Sequence, residues 1–171
     1  LDVIQGKIEP TRGRVKIGQT VRFGVLSQQL EELKPYMGDT IREVLGNYKK
    51  YYVIDGKETS PEKLCERLGF TTQQLWSRIG DLSGGQRRRV DLARLLIGDY
   101  DVLMLDEPTN HLDMRTINWL ARHLKARWQR GQGAMLVVTH DRWFLDEVCT
   151  SMWEVHDGQV DPFEGGYSAY I

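Results

Sequence analysis

The sequence predicts an α/β fold in which helices cover both faces of a parallel sheet. Residues 101–105 read Asp-Val-Leu-Met-Leu and residues 134–138 read Ala-Met-Leu-Val-Val, and such apolar runs are typical of strands that are buried on both faces. A predicted helix over residues 114–130 separates the two runs, and its apolar face carries Leu124 and Trp128. A strand–helix–strand order of this kind connects neighbouring parallel strands.

The opening segment predicts the end of a helix followed by two strands. Leu1 to Gly6 reads like the last turns of a helix, because glycine commonly ends helices. Residues 15–17 and 21–25 alternate apolar residues with polar residues or glycine, and Gly18-Gln19 lies between them. We therefore expect a short antiparallel pair of strands here.

The middle of the chain carries helix signals. Thr40 to Glu43 has the pattern of a capping box, and Ser60-Pro61 is typical of a helix start. A third predicted helix begins at Thr71. The expected organisation is a core segment with the antiparallel strands at 1–29, an inserted α-helical subdomain at 30–96 and the rest of the core at 97–171.

The composition limits the function classes. The chain has 171 residues with 23 Lys and Arg against 24 Asp and Glu, so it lacks the strong basic excess of proteins that coat nucleic acids or membrane surfaces. Its apolar runs are too short to cross a bilayer and no secretory signal begins the chain, so we expect a cytoplasmic location. Cys65 and Cys149 have no spacing typical of a disulfide framework or a metal site, and we expect buried free thiols.

Several basic and aromatic residues are interpreted as structural or solvated. The segment 48–52, Tyr-Lys-Lys-Tyr-Tyr, is expected to be a solvated helix end or loop, with a nucleic-acid patch as the alternative. Arg87 to Arg89 are expected to face solvent, with contact to ribosomal RNA as the alternative. The remaining expectations are a surface position for Trp119, a packing or loop role for His111, and solvated side chains for His123 and His156.

Charged side chains follow both predicted core strands. The first strand ends in Asp106-Glu107 and the second in Thr139-His140. Because the carboxyl ends of parallel strands meet at one edge of the sheet, these side chains are expected to lie together. Successive side chains leave a strand in opposite directions, so one carboxylate can hold Mg²⁺, directly or through water, while the other faces a reacting water.

A glycine-rich turn precedes a predicted apolar helix. It reads Ser83-Gly84-Gly85-Gln86. Free backbone N–H groups and the helix dipole make such a helix start suited to phosphate, although an N-cap with a flexible glycine turn would read the same way.

Taken together, the motifs resemble those of the ATP-binding-cassette (ABC) ATPases, in family order. This resemblance implies an ABC-type P-loop NTPase core. Leu82 to Gln86 resembles the signature motif, Val102 to Glu107 the Walker B strand with its glutamate, Asn110 to Asp113 the D-loop, Thr139-His140 the switch histidine, and Val25 to Gln28 the Q-loop strand, with Gln29 as an alternative register.

The resemblance also implies roles for single residues in binding ATP and Mg²⁺ and in hydrolysing ATP. Glu107 would polarise the attacking water as general base, and His140 would contact the γ-phosphate. Asp106 would hold Mg²⁺ through water, and Gln28 would sense both the metal and the attacking water. The residues expected to serve the nucleotide of a second ABC domain are Ser83, Gly84, Gly85 and Gln86, with Asp113 coupling the two sites at the interface.

The wording of the motifs narrows the resemblance to ABC-F proteins, the class that acts on ribosomes. Asp106 to Asp113 and Thr139 to Leu145 resemble the ABC-F versions of their segments, and residues 153–170 are similar to the close of a first ABC domain, most like the Uup branch. The implied partners are a second ABC domain, in a head-to-tail arrangement around two ATP molecules, and the ribosome with its RNA, without membrane insertion. Two alternatives are the nucleotide-binding subunit of a membrane transporter and a non-catalytic half that lends its signature motif to another domain.

The chain departs from the family pattern at one motif. It contains no Gly-x-x-x-x-Gly-Lys-Ser/Thr, because Gly6-Lys7 and Gly56-Lys57 are followed by Ile and Glu and lack the upstream glycine. In the family this P-loop would lie just before Leu1. We therefore expect a partial ABC domain without its Walker A motif and P-loop strand, unable by itself to bind or hydrolyse ATP normally.

Overall fold

The computed structural model describes residues 1–48, 51–54 and 56–171. Lys49 and Lys50 of the basic-aromatic segment lie outside the described residues, so its interpretation stays a prediction. In chain order the elements are β1 (Phe23–Leu26), α1 (Ile41–Gly46), β2 (Tyr52–Ile54), β3 (Lys57–Thr59), α2 (Pro61–Arg67), α3 (Gly84–Ile97), β4 (Val102–Asp106), α4 (Met114–Lys125), β5 (Ala134–Val138), α5 (Arg142–Val148), β6 (Ser151–His156), β7 (Gln159–Glu164) and α6 (Tyr167–Tyr170), with 3-10 turns at Glu31–Tyr36, Gln73–Trp76 and Ile79–Asp81.

A parallel sheet organises the fold, as predicted. Its strand order is β1-β4-β5, and both pairings are parallel. Helix α3 packs against β1, and every residue from Val90 to Ile97 is buried. A Cβ on Gly24 of β1 would lie 2.8 Å from the side chains of Leu95 and Leu103, so a glycine at this position allows the close approach of helix and strands. Two antiparallel hairpins, β2-β3 and β6-β7, complete the described sheets.

The two core strands differ in burial, which corrects the prediction that both are buried on both faces. Leu103, Met104 and Leu105 of β4 are fully buried. No residue of β5 is fully buried, and Val138 is 46% exposed. Strand β4 lies between two neighbours, whereas β5 is one of the two edges of the described sheet.

The opening segment differs from the prediction after its first turns. The Gly6 and Lys7 N–H groups donate to the carbonyls of Val3 and Asp2, and Gly6 has φ +75°, which is the Schellman pattern that ends helices. The predicted antiparallel pair is wrong, because Val15 and Ile17 lie outside any strand and are 43% and 39% exposed. Strand β1 instead pairs with β4, in parallel.

The helix caps in the middle segment are confirmed. Thr40 forms a reciprocal capping box with Glu43, and Ser60 accepts the Lys63 N–H with proline in the first turn of α2. The helix predicted from Thr71 is wrong: two short 3-10 turns, Gln73–Trp76 and Ile79–Asp81, take its place. Thr71 does accept the Gln74 N–H, but the chain is extended at Ser77 and Arg78, which ends each regular run within one turn.

Helix α4 ends at Lys125, five residues earlier than predicted. Trp128 therefore lies outside the helix, where its indole N–H donates to the Tyr100 carbonyl at 3.3 Å. The surface expectation for Trp119 and the solvated expectation for His123 are wrong: they are 4% and 9% exposed, and their rings stack with centroids 5.3 Å apart. Helix α4 packs against α5, and the Arg67 guanidinium lies over the Trp119 ring, so these residues are covered as well as the aliphatic face of the helix.

The cysteines and His156 follow expectation in part. Both cysteines are free thiols; Cys65 is buried, and burial raises its pKa to about 12, whereas Cys149 is half-buried. The His156 side chain is 42% exposed and bonds Asp161 at 2.8 Å. Among the described residues, no helix has the length and apolar character needed to cross a membrane.

Candidate functional site

The register of the sheet places the predicted site residues at one edge. Leu26 pairs with Leu105, and Asp106 pairs with Val138, so the three strands end at the same level. The segments that leave these strands carry Gln28 after β1, Glu107 after β4 and the Thr139-His140 pair after β5. This is the carboxyl edge, where parallel sheets place their ligand sites.

Glu107 adopts a backbone conformation that is uncommon for its residue type. Its φ of +50° lies in the left-handed region, and such residues cluster at functional sites. The backbone N–H of Glu107 donates to the Val138 carbonyl at 2.7 Å, and its carbonyl accepts the Asn110 N–H at 3.2 Å. The turn is therefore fixed on both sides by backbone hydrogen bonds.

Two donors from the end of β5 hold the Glu107 carboxylate. The Thr139 hydroxyl donates to Oε2 at 3.0 Å, and the His140 backbone N–H approaches the same oxygen at 3.3 Å. The imidazole Nε2 of His140 lies 3.5 Å from Oε1. The Glu107 side chain is 15% exposed whereas that of His140 is 100% exposed, so a fixed carboxylate lies beside a histidine that is open to a visiting group.

The predicted metal site has few protein ligands. Asp106 is half-buried at the end of β4, and Gln28 is exposed beyond β1. Among the described residues, no three His, Cys, Asp or Glu side chains are grouped as metal ligands. Proteins often hold Mg²⁺ through one or two carboxylates, with water and substrate phosphates completing the shell, and Asp106 offers such a carboxylate at the end of β4.

The glycine-rich turn caps α3, and it remains accessible. Ser83 forms a reciprocal capping box with Gln86, at 3.2 Å and 2.9 Å. A Cβ on Gly84 would meet no atom within 4 Å, whereas a Cβ on Gly85 would lie 3.1 Å from the ring of His111. His111 is thus a loop residue that packs on the turn, as expected, and Gly84 leaves open space beside the first N–H groups of the helix, which have no partner within it.

Asp113 lies at the far end of the loop that follows Glu107. It is the N-cap of α4, and its carboxylate accepts the Thr116 N–H at 2.7 Å. That hydrogen bond holds the pKa of Asp113 below its ordinary value. The structure brings together Glu107, Thr139 and His140, and it joins the glycine-rich turn to the loop at His111. Among the described residues, the Glu107 carboxylate forms no hydrogen bond or ion pair with the side chain of Gln28 or Asp113.

The expectation that the arginines after the glycine-rich turn face solvent is wrong, because each guanidinium binds backbone carbonyls. The Arg87 guanidinium donates to the carbonyls of Ile79 and Gly80 at 3.0 and 2.7 Å. Arg89 donates to the Leu68 carbonyl at 3.0 Å and lies over the Phe70 ring. Arg88 is buried and donates to carbonyls at the carboxyl edge of the sheet. The apolar helix that follows could have indicated this burial, since polar side chains on a helix that is buried all round lie inside the protein.

A cavity lies at the opposite end of the strands. It has a volume of about 720 Å³ and is lined by residues that precede β1 and β4, Arg22 and Asp101, together with Arg127 and several aromatic rings. The Arg127 guanidinium donates hydrogen bonds to the carbonyls of Leu95, Leu96 and Gly98 at the end of α3. Since both strands run away from this cavity, it is separate from the carboxyl edge.

Known proteins resemble this chain over most of its length. A family model described as "ABC transporter" matches residues 1–110. The energy-dependent translational throttle protein EttA of Escherichia coli K12 is 32% identical over 98% of the chain, and ABC transporter F family member 5 of Arabidopsis thaliana is 40% identical over 69% of it. The archaeal ribosome recycling factor aABCE1, solved with the ribosomal stalk protein aP1, matches 99% of the chain with a TM-score of 0.70 and 26% identity.

These proteins are considerably longer than the chain. It spans 29% of the Escherichia coli protein, 16% of the Arabidopsis protein and 32% of the archaeal factor. The matched region includes the glycine-rich turn and the Asp106-Glu107 pair. The chain therefore belongs to the ABC transporter family of ATP-binding-cassette domains, with ABC-F proteins among its relatives.

Proposed function

We propose that this chain is part of an ATP-binding and ATP-hydrolysing domain of a cytoplasmic protein that acts in translation, and that it needs the phosphate-binding loop it lacks to bind or hydrolyse ATP normally. The observation that carries the proposal is the Glu107 carboxylate, which Thr139 and His140 hold at the carboxyl edge of the sheet. A carboxylate that is fixed by two donors and still partly open is suited to accept a proton from an attacking water.

The neighbouring residues fit a magnesium–nucleotide substrate. Asp106 and Gln28 leave adjacent strands at this edge and offer the oxygen ligands that Mg²⁺ prefers. Bound Mg²⁺ neutralises charge that develops on the phosphate oxygens. His140, whose side chain is fully exposed, is free to contact a phosphate while its backbone N–H stays on Glu107.

A second ABC domain completes the proposed site. The turn at Ser83–Gln86 is open beside Gly84 and offers helix N–H groups to the nucleotide held by that domain. Asp113, on the loop that also carries His111, contributes to the same interface. The outer edge of β5 has no partner strand in the described part of the chain, and we propose that it receives a strand leading to the phosphate-binding loop that this sequence lacks.

The translational role is supported by the relatives. One is named a translational throttle protein, and the structure with a TM-score of 0.70 is a ribosome recycling factor. We therefore propose the ribosome as the partner of the two-domain protein, in preference to a membrane transporter. The segment 30–96 is its inserted subdomain, although it contains the β2-β3 hairpin and so is not purely helical as predicted. The Uup-like, first-domain position of the chain is part of the same proposal.

The test is the Glu107→Gln variant of the two-domain protein. We expect ATP affinity to change little and turnover to fall by roughly 10²–10⁴-fold, because the amide keeps the shape but cannot act as a base. Glu147→Gln is the matched control, since Glu147 is a surface carboxylate paired with Lys125. ATP binding is measured by calorimetry and turnover by phosphate release. Turnover equal to that of the unmodified protein would exclude the role of Glu107.

A further inference from the structure

Arg88 joins three segments of the site through one guanidinium group. Its Nη1 donates to the Ser27 carbonyl at 3.3 Å, and its Nη2 donates to the carbonyls of Glu107, at 3.2 Å, and Asp106. The residue is 9% exposed, so these contacts are shielded from water. Arg88 itself lies on α3, two residues after Gln86 of the glycine-rich turn.

The contacted carbonyls belong to backbone that carries the proposed catalytic groups. Ser27 immediately precedes Gln28, and Asp106 with Glu107 forms the exit of β4. Carbonyls from two strand ends therefore converge on one cation whose donors have a fixed planar arrangement. A lysine at this position would offer a single point charge and could not reproduce the fork.

The two neighbouring arginines show that this contact is specific to one position. Arg87 binds the carbonyls of Ile79 and Gly80, and Arg89 binds the carbonyl of Leu68. All three arginines bind backbone carbonyls, but only Arg88 of the three reaches the carboxyl edge. Its neighbours therefore provide controls of the same residue type on the same helix.

We propose that Arg88 is a positioning residue that fixes Gln28 and Glu107 relative to the glycine-rich turn, so that turnover, rather than ATP affinity, depends on it. This inference rests on the proposed ATPase function. Because the turn and the strand exits are joined by one side chain, a shift of the start of α3 moves the backbone of both exits. Misplacing a reacting group by about 1 Å can lower a rate by about 100-fold.

The experiment compares Arg88→Lys and Arg88→Met with Arg87→Lys and Arg89→Lys in the two-domain protein. We expect turnover to fall by about 10-fold in Arg88→Lys and about 100-fold in Arg88→Met, with ATP affinity unchanged within about threefold and turnover nearly unchanged in the two controls. Hydrogen exchange gives a readout independent of activity. In Arg88→Lys, exchange should rise at residues 27–29 and 106–110, whereas in Arg89→Lys it should rise at residues 68–70.

Three results would overturn the inference. These are unchanged turnover in Arg88→Lys, equal losses in the Arg88 and Arg89 variants, and loss of folded structure in both Arg88 variants by circular dichroism, which would make the residue a general folding requirement. A failure of the proposed function can be distinguished from a failure of this inference. If Glu107→Gln retains turnover, the catalytic assignment fails, while the exchange pattern at the two strand exits still reports whether Arg88 positions them.

Discussion

Strands β4 and β5 have similar sequences and lie side by side, yet they occupy different environments. Both are strands of five residues, Val102–Asp106 with four apolar residues before its aspartate and Ala134–Val138 with five apolar residues. The three central residues of β4 are fully buried, whereas the corresponding residues of β5 are half-buried. The difference shows that an apolar run indicates a buried strand, while the segments that pack around the strand decide how much of each residue is buried.

The segments that leave the two strands also differ, because that of β4 is held more firmly than that of β5. The exit of β4 is held by the Arg88 side chain, which binds its carbonyls, and by the Val138 carbonyl, which accepts the Glu107 N–H. The exit of β5 supplies donors to Glu107 but leaves the His140 side chain fully exposed. The central strand thus fixes the carboxylate, and the edge strand brings the groups that remain accessible to a substrate.

The largest expected difference between the strands is in stability. Leu103→Ala in β4 should lower the free energy of unfolding by about 3 kcal/mol, because it leaves a cavity in the fully buried core. Leu136→Ala in β5 makes the same change at a half-buried position and should cost about 1 kcal/mol. Urea unfolding of both variants measures the difference, and equal losses would contradict the contrast in burial.

A smaller effect is expected where the exits meet. Thr139→Val removes the hydroxyl, which donates to Glu107 Oε2 and accepts the Asp141 N–H at 3.1 Å. It keeps the side-chain shape and leaves the His140 N–H in place. Losing the bond to the charged carboxylate should lower turnover by about 10-fold. Thr150→Val, at an exposed turn, is the control. Phosphate release at saturating ATP is the measurement, and an unchanged rate would show that the hydroxyl is dispensable.

The smallest effect concerns the helix that follows β4. The N–H of Thr116 lowers the pKa of Asp113 from its ordinary value of 3.8. The stabilisation is therefore fully present above about pH 4 and is lost as the pH falls through the lowered pKa. Asp113→Asn keeps a cap without a titrating group, so its thermal unfolding temperature should fall less steeply than that of the unmodified chain between pH 5 and pH 2. If the unfolding temperatures of the two proteins fell equally steeply with falling pH, this assignment would be contradicted.

Part of the fold and of the site could be predicted because the signals are local. The capping pairs at Thr40 and Ser83 depend on residues three positions apart, and the charged residues that end β4 and β5 follow directly from the parallel arrangement. The antiparallel pair predicted in the opening segment is wrong because an alternating pattern indicates a strand but not which strand it pairs with. Phe23–Leu26 pairs with β4 instead.

The inward arginines were missed for a related reason. Three arginines after a glycine-rich turn look by themselves like a solvated helix face, and only the apolar residues that follow them indicate a buried helix. Each guanidinium has instead its own set of backbone carbonyls, and those of Arg88 lie 18 to 61 residues away along the chain. Trp119 and His123 were misjudged similarly, because α4 is covered on more than the face that carries its aliphatic residues.

The sequence by itself determined the strand–helix–strand order, the capped start of α3 and the family motifs, since each depends on residues close together in the chain. Only the tertiary structure decided that β5 is an edge strand, that Glu107 is held by Thr139 and His140, and that Arg88 binds two strand exits. Those outcomes depend on which segments become neighbours after the core has formed. Burial then selects the partners, because a buried donor or acceptor left without one costs more free energy than the bond itself contributes.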